Sequence, residues 1–228
     1  MEVYASSARI RGNDVASHGS PSAVLTARYT WAVEYACAIH AAQLRKGTNV
    51  PYICHLLGVS ALVIEAEGDE EQAIAGLLHD AAEDAGGEAR LTDIEARFGS
   101  RVTRIVRACS DATDVEWKKA TPYWERKLGY LRRLQMEPEE CVLVSIADKV
   151  HNSRAILTDL QLHGPDVTLA KFTSSSQEML RYYATCLSIA EGKDISRKLT
   201  LPLRTALRDI AELIELPVPP PVKLGPAA

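Results

Sequence analysis

Between its two tails the chain repeats apolar side chains every three or four positions, and no stretch alternates strictly in period two. A strand that buries one face needs that alternation, whereas a helix that buries one face needs the 3.6-residue spacing. The chain is therefore expected to be all-α, a compact multi-helix bundle with little or no sheet. Local breakers divide the pattern. Thr30 can cap a helix through about Leu44, which Lys46-Gly47-Thr48-Asn49 then breaks. Pro51 opens a short turn, and a second helix runs from His55 to Glu67 and stops at Gly68. A third starts near Asp69 and continues through His79-Asp80 to Gly86-Gly87.

Further along, Thr92 and Glu95 form the pattern of a capping box, and Phe98-Gly99 closes that short helix. Val102, Ile105 and Val106 mark another. Trp124–Met136, Pro138 to about Leu160, Ser174–Ala190 and Pro202 to about Leu216 complete the set, with Pro138 and Pro202 suited to first turns. Residues 1–22, rich in Ser, Gly and Ala, read as a flexible arm. Residues 23–216 read as one domain. Residues 217–228 hold Pro217, Pro219, Pro220, Pro221 and Pro226 and read as an extended, solvated Pro-rich tail.

The formal net charge is −4, which lacks the basic footprint of a nucleic-acid binder. No apolar run approaches a membrane span, and no signal-like apolar segment follows Arg9 and Arg11, so a cytoplasmic protein is expected. The five cysteines (Cys37, Cys54, Cys109, Cys141 and Cys186) include no C-x-x-C pair and are expected to be small buried residues.

The densest chemistry lies in Leu77-Leu78-His79-Asp80-Ala81-Ala82-Glu83-Asp84. On a helix His79 and Glu83 share a face, as do Asp80 and Asp84. Three acids crowded beside an apolar run repel one another, and a bound cation would relieve them. By itself the run also fits a solvated acidic helix end. A second segment carries Asp148 among Val142, Val144, Ile146 and Val150. A carboxylate buried there needs either a cationic side chain, such as Lys149, or a metal. Asn152 lies one turn on, on the same face. In the third segment, Arg45-Lys46-Gly47-Thr48-Asn49-Val50-Pro51-Tyr52-Ile53-Cys54-His55, the histidine follows a tight polar turn. Taken together, two imidazoles and two carboxylates suit a divalent first-row metal with positions left open for water and substrate. Lys149, Arg154, Arg126 and Lys127 are further cations near these motifs, and Tyr182 or Tyr183 could face a pocket. Each of them fits surface or core better than site.

In this order and at these separations the motifs resemble the HD superfamily, and more narrowly the hydrolase domain of RelA/SpoT-type proteins and the single-domain small alarmone hydrolases. The shared pattern is a basic pair with a glycine turn, P-Y-I-x-H, L-L-H-D-x-x-E-D, F-G and A-D-[KR]-x-H-N, and it covers roughly residues 29–190. The resemblance implies an HD-domain bundle in which His55, His79, Asp80 and Asp148 are metal ligands, usually for Mn2+. It implies Glu83 and Asp84 as the catalytic acidic pair, Arg45 and Lys46 at the nucleotide base, and Asn152 at the sugar or its phosphates. The implied activity removes the 3′-pyrophosphate from hyperphosphorylated nucleotides such as (p)ppGpp or (p)ppApp, the alarmones of the stringent response.

Two positions depart from the pattern. Leu56 stands where the family has Pro, and Ala85 where it has Thr. The loop Gly86-Gly87-Glu88-Ala89-Arg90 is slightly long. Three alternatives remain open: an HD phosphohydrolase for another nucleotide, a nucleotide-sensing module without turnover, and a helical scaffold with an incidental acidic patch that binds no tight metal. The expected partner is a small-molecule nucleotide rather than nucleic acid or membrane, and a homo-oligomer is left open. His151 is expected to hold its helix by hydrogen bonding rather than to bind metal.

Overall fold

The computed structural model describes residues 24–111, 117 and 120–225. The expected arm over residues 1–22 lies outside them. The helices are α1 (Ala27–Ile39), α2 (Ile53–Glu65), α3 (Glu70–Leu78), α4 (Ala81–Asp84), α5 (Gly87–Cys109), α6 (Tyr123–Met136), α7 (Glu139–Leu169), α8 (Ser176–Gly192) and α9 (Arg197–Leu213). Among the described residues the only β pairing is one isolated antiparallel bridge, Leu44 with Pro51, so the all-α expectation holds.

The bundle is organised around α3, which packs against α1, α2, α5 and α7. From Gln72 to Leu78 every residue of α3 is buried. A helix that is apolar on all sides belongs in the middle of a core, and this one carries its C-terminal end directly into His79-Asp80. Its start is fixed by a capping box: Asp69 accepts from the Gln72 N–H while the Gln72 side chain accepts from the Asp69 N–H. Outside α3, Arg101 of α5 binds Asp69, Glu71 and Glu140, tying α3 and α7 to α5. The long helix α7 forms the other wall, and α9 lies along it.

Several boundaries differ from the sequence expectation, each for a local reason. Thr26, not Thr30, caps α1, accepting from the Arg28 N–H. That helix stops at Ile39 because the chain turns into a loop closed by Arg45 N–H to Val50 O (2.8 Å) and Tyr52 N–H to Gln43 O (2.9 Å). The predicted Thr92–Glu95 box does not form. The loop at Gly86–Arg90 is instead the start of α5, and Thr92 lies inside it, donating to Glu88 O. Burial of Leu91, Ile94 and Phe98 favours extending the helix over ending it. Gly99 does interrupt it as predicted, at φ 84°. Gly164 (φ 77°) kinks α7, after which the helix resumes at Pro165, where a missing N–H costs nothing. α9 starts at Arg197 with Ser196 as cap, five residues before Pro202, and buries Leu199 and Leu203.

The described part of the proline-rich segment, residues 217–225, forms no helix and is not simply solvated. Val222 N–H donates to Thr185 Oγ1 on α8 (2.9 Å), and Leu216 and Leu224 pack against the core. Cys109, Cys141 and Cys186 are buried, whereas Cys37 and Cys54 are exposed, against expectation. No helix of the described residues is long and apolar enough to cross a membrane.

Candidate metal centre and nucleotide cleft

Three helices deliver the predicted ligands to one point. His55 comes from the first turn of α2, His79 and Asp80 from the break between α3 and α4, and Asp148 from the buried half of α7. The predicted continuous helix through His79-Asp80 is interrupted there: Asp80 sits at φ −93°, ψ −4°, and α4 is a separate short turn. The close approach of α2 to α3 depends on Gly76, where an added Cβ would stand 3.1 Å from Ser60 Cα.

His55 Nε2 lies 3.2 Å from His79 Nε2, 3.5 Å from Asp80 Oδ2 and 3.3 Å from Asp148 Oδ1. His79 Nε2 lies 3.0 Å from Asp80 Oδ2 and 3.6 Å from Asp148 Oδ1. Donors bound at about 2.1 Å around one ion stand roughly 3 to 3.5 Å apart, so His55, His79 and Asp80 fit a divalent cation. Donor atoms of His55, His79 and Asp80 all fall within 4.8 Å of one another, and Asp148 approaches the two imidazoles without joining that tightest group. His79 Nδ1 is 2.9 Å from Gly76 O, so it carries the hydrogen and leaves Nε2 free as the ligand atom.

Without a cation the site is held by its own charges. Burial alone would lower the His79 pKa, but the carboxylates of Asp80 and Asp148 more than offset this and hold it well above its usual 6.5. Burial would raise Asp80 and Asp148. For Asp80 the His79 imidazole reverses this, and for Asp148 the ammonium of Lys149 does so first, so both stay well below 3.8. Lys149 Nζ bonds Asp148 Oδ2 at 2.7 Å, so the plain ion-pair alternative for Asp148 is present as well as its approach to the imidazoles.

The surrounding partners were only partly visible in the sequence. Tyr52 Oη donates to Asp80 Oδ2 at 2.6 Å, and burial followed by the Asp80 charge raises the phenol pKa. Gln43 Nε2 donates to Asp84 Oδ2 at 2.8 Å. Asp111, which no motif singled out, is buried. Its N–H donates to Glu83 Oε2 (3.4 Å) and its Oδ2 accepts from Arg126 (3.0 Å) and Lys127 (2.8 Å). His151 does not bond along its own helix but reaches across to α2, with its Nδ1 2.9 Å from His55 Nδ1. Burial, then the neighbouring His55 and Arg45, lowers the His151 pKa to about 4.

Two adjoining cavities open beside the cluster, of about 250 and 500 Å3. Both are lined by Arg45, Tyr52, Asn152, Phe172 and Tyr183. The smaller holds Asp80, Glu83, Asp148, Lys127 and Lys149, together with Tyr182. The larger, more apolar one holds exposed Lys46 and the edges of His55 and His151. Asn152 stands where they meet, accepting from Arg45 Nη2 (3.0 Å) and donating to Asp148 Oδ1. Asp84 lines neither cavity, and Arg154 is exposed away from both. Arg126 is held on Asp111 rather than presented to the cavity. The arrangement places a cation site, a carboxylate and ammonium groups at one end of a cleft whose other end suits a flat apolar group.

The chain matches the HD domain family model over residues 32–173. It is 29% identical over 122 residues to a probable guanosine-3′,5′-bis(diphosphate) 3′-pyrophosphohydrolase of Synechocystis, a match covering 54% of this chain and 16% of that one. It is 31% identical over 147 residues to a GTP pyrophosphokinase of Streptomyces coelicolor, covering 64% of this chain and 16% of the relative. The chain thus spans about a sixth of the length of such relatives. The solved structure of a metazoan ortholog of SpoT, described as hydrolysing ppGpp, superposes with a TM-score of 0.62 at 27% identity, covering 81% of this chain and 96% of that one. A structure from Listeria monocytogenes superposes at 0.58 with 25% identity, covering 72% and 99%. With its helical bundle, its His-His-Asp cluster and these matches, the chain belongs to the HD-domain family, within the RelA/SpoT-type hydrolase superfamily.

Proposed function

We propose that this protein removes the 3′-pyrophosphate from hyperphosphorylated nucleotides of the (p)ppGpp or (p)ppApp class, with Mn2+ held by His55, His79, Asp80 and Asp148. The observation that carries this reading is the cleft itself. Asp80 and Asp148 of the donor cluster border one cavity with Glu83 and Lys127, His55 borders a more apolar one, and the two cavities share Arg45 and Asn152. Bound there, a divalent cation supplies a Lewis acid for the phosphoryl oxygens.

The chain's own groups do the rest. Phosphoryl transfer depends on positioning and charge neutralisation. Lys127, at the cavity wall, offsets phosphate charge. Glu83, in the cavity, orients the attacking water, takes its proton and returns one to the leaving 3′ oxygen, with Asp84, held by Gln43 beside it, as the second acid of the pair. The P–O3′ bond breaks as the water oxygen bonds phosphorus, releasing pyrophosphate and a nucleoside 5′-di- or triphosphate. Arg45, whose guanidinium lies 5.8 Å from the Tyr52 ring centre, and Lys46 receive the base, and Asn152 the sugar or its phosphates. Residues 23–216 form the catalytic domain, and the substrate class places the protein in the cytoplasm.

Incubating the metal-free protein with Mn2+ and either ppGpp or ppApp, then separating the products, tests this. Pyrophosphate with a nucleoside 5′-diphosphate is the expected result. Manganese binding without turnover of either nucleotide would remove the alarmone assignment.

A further inference from the structure

His55 and His79 present Nε2 to the same point, so each must carry its hydrogen on Nδ1 and donate it. His79 has an ordinary partner, the Gly76 carbonyl three residues back on its own helix. His55 has none of that kind. It stands in the first turn of α2, and the carbonyl three residues back, Tyr52 O, accepts the backbone N–H of His55 itself. Its Nδ1 faces His151 Nδ1 instead, at 2.9 Å, across the α2–α7 interface.

The His151 ring is itself held in place from α2. Gly58 lies one turn beyond His55, on the same face. A Cβ built at Gly58 would stand 2.4 Å from both Cδ2 and Nε2 of His151. The imidazole therefore lies directly against bare helix backbone, in space that any other residue would fill. The two rings meet edge to face, with centroids 4.7 Å apart. Gly58 is helical, so its lack of a side chain serves this seat rather than a turn.

We infer that His151 is the positioning residue for the metal ligand His55. It accepts the Nδ1 hydrogen and so fixes the ring's tautomer and direction, and Gly58 is the recess that seats it. The inference rests on the metal site proposed above but is independent of the substrate.

The test is Mn2+ affinity by chelator competition, for the full chain and four variants. Outer partners of metal-bound histidines typically contribute about 10- to 100-fold in affinity. His151→Ala and Gly58→Ala should each weaken Mn2+ by at least about tenfold on that scale. His151→Asn, whose Oδ1 can stand where Nδ1 stood, should stay within a few-fold of the unmodified protein. The double variant Gly58→Ala/His151→Ala should bind no more weakly than His151→Ala alone, because the added methyl then meets no ring. Unchanged affinity in His151→Ala, a loss in His151→Asn equal to that of the alanine variant, or additive losses in the double variant would each overturn the inference while leaving the metal site standing. An unmodified protein that binds no Mn2+ would overturn both. If Gly58→Ala does not fold, the contrast between His151→Asn and His151→Ala decides by itself.

Discussion

Tyr52 Oη donates a 2.6 Å hydrogen bond to Asp80 Oδ2, the same carboxylate oxygen that lies 3.0 Å from His79 Nε2. A phenol on the loop before α2 thus aims a ligand carried by the break after α3. Tyr52→Phe keeps the ring and deletes only that donor. We expect Mn2+ affinity to fall by about tenfold, with the helical circular dichroism unchanged. A calorimetric titration matching the unmodified protein would show that Asp80 needs no such guide.

Glu83 and Asp84 have different surroundings: Glu83 lines the cavity and accepts from Asp111 N–H, while Asp84 accepts from Gln43. Glu83→Gln and Asp84→Asn should each lower kcat by about 10^2- to 10^4-fold, the usual range for general acid–base groups. Steady-state rates alongside metal content would check this, since neither side chain is among the proposed ligands. Full activity in either variant would take that residue out of the proton path.

Metal binding should respond to pH through His79. Its raised pKa means the metal-free protein keeps that proton at neutral pH, and Mn2+ must displace it. Affinity should climb up to about tenfold per pH unit between roughly pH 6 and 8, which chelator competition at several pH values would read. A flat response would show that His79 is neutral before metal arrives.

The fold of the metal-free protein should follow the same charges. Raised His79 contributes stability that is complete below its unfolded 6.5 and is lost as pH rises through its folded value. Depressed Asp80 and Asp148 contribute above 3.8 and lose it as pH falls through their folded values. His151, lowered to about 4, favours the fold at and above 6.5 and less as pH drops from there. Melting temperatures of metal-free protein should therefore be highest near pH 6 and decline on both sides. A continuous rise to pH 9 would contradict the protonated His79.

Gly76→Val places carbon against Ser60 Cα, only 3.1 Å from the new Cβ. Overpacking of this kind costs about 1–3 kcal/mol. Because His55 and His79 ride on the two helices being pushed apart, weaker Mn2+ binding should accompany the lower melting temperature. Destabilisation with unchanged metal affinity would mean the ligands are set by their local bonds alone.

The helical class, the breaks near Gly68 and Gly99, and the candidate ligands were all legible in the chain, because they depend on spacing and residue type within one segment. Asp148 stood out because a carboxylate between Val144 and Val150 has to be compensated, whatever the fold. Boundaries were less legible. Thr92 carries a capping signature that burial of Leu91 and Ile94 overrides, and the interruption at His79-Asp80 has no proline or glycine to announce it. Least visible were the partners that complete the site: Tyr52 on Asp80, Asp111 between Glu83 and Lys127, and His151 on His55 with Gly58 beneath it. Each joins residues 16 to 96 positions apart. The sequence determined which residues could do chemistry; only the packing of α2, α3 and α7 decided which atoms face one another, because hydrogen bonds and metal ligation act over about 3 Å and depend on direction, which no linear spacing encodes.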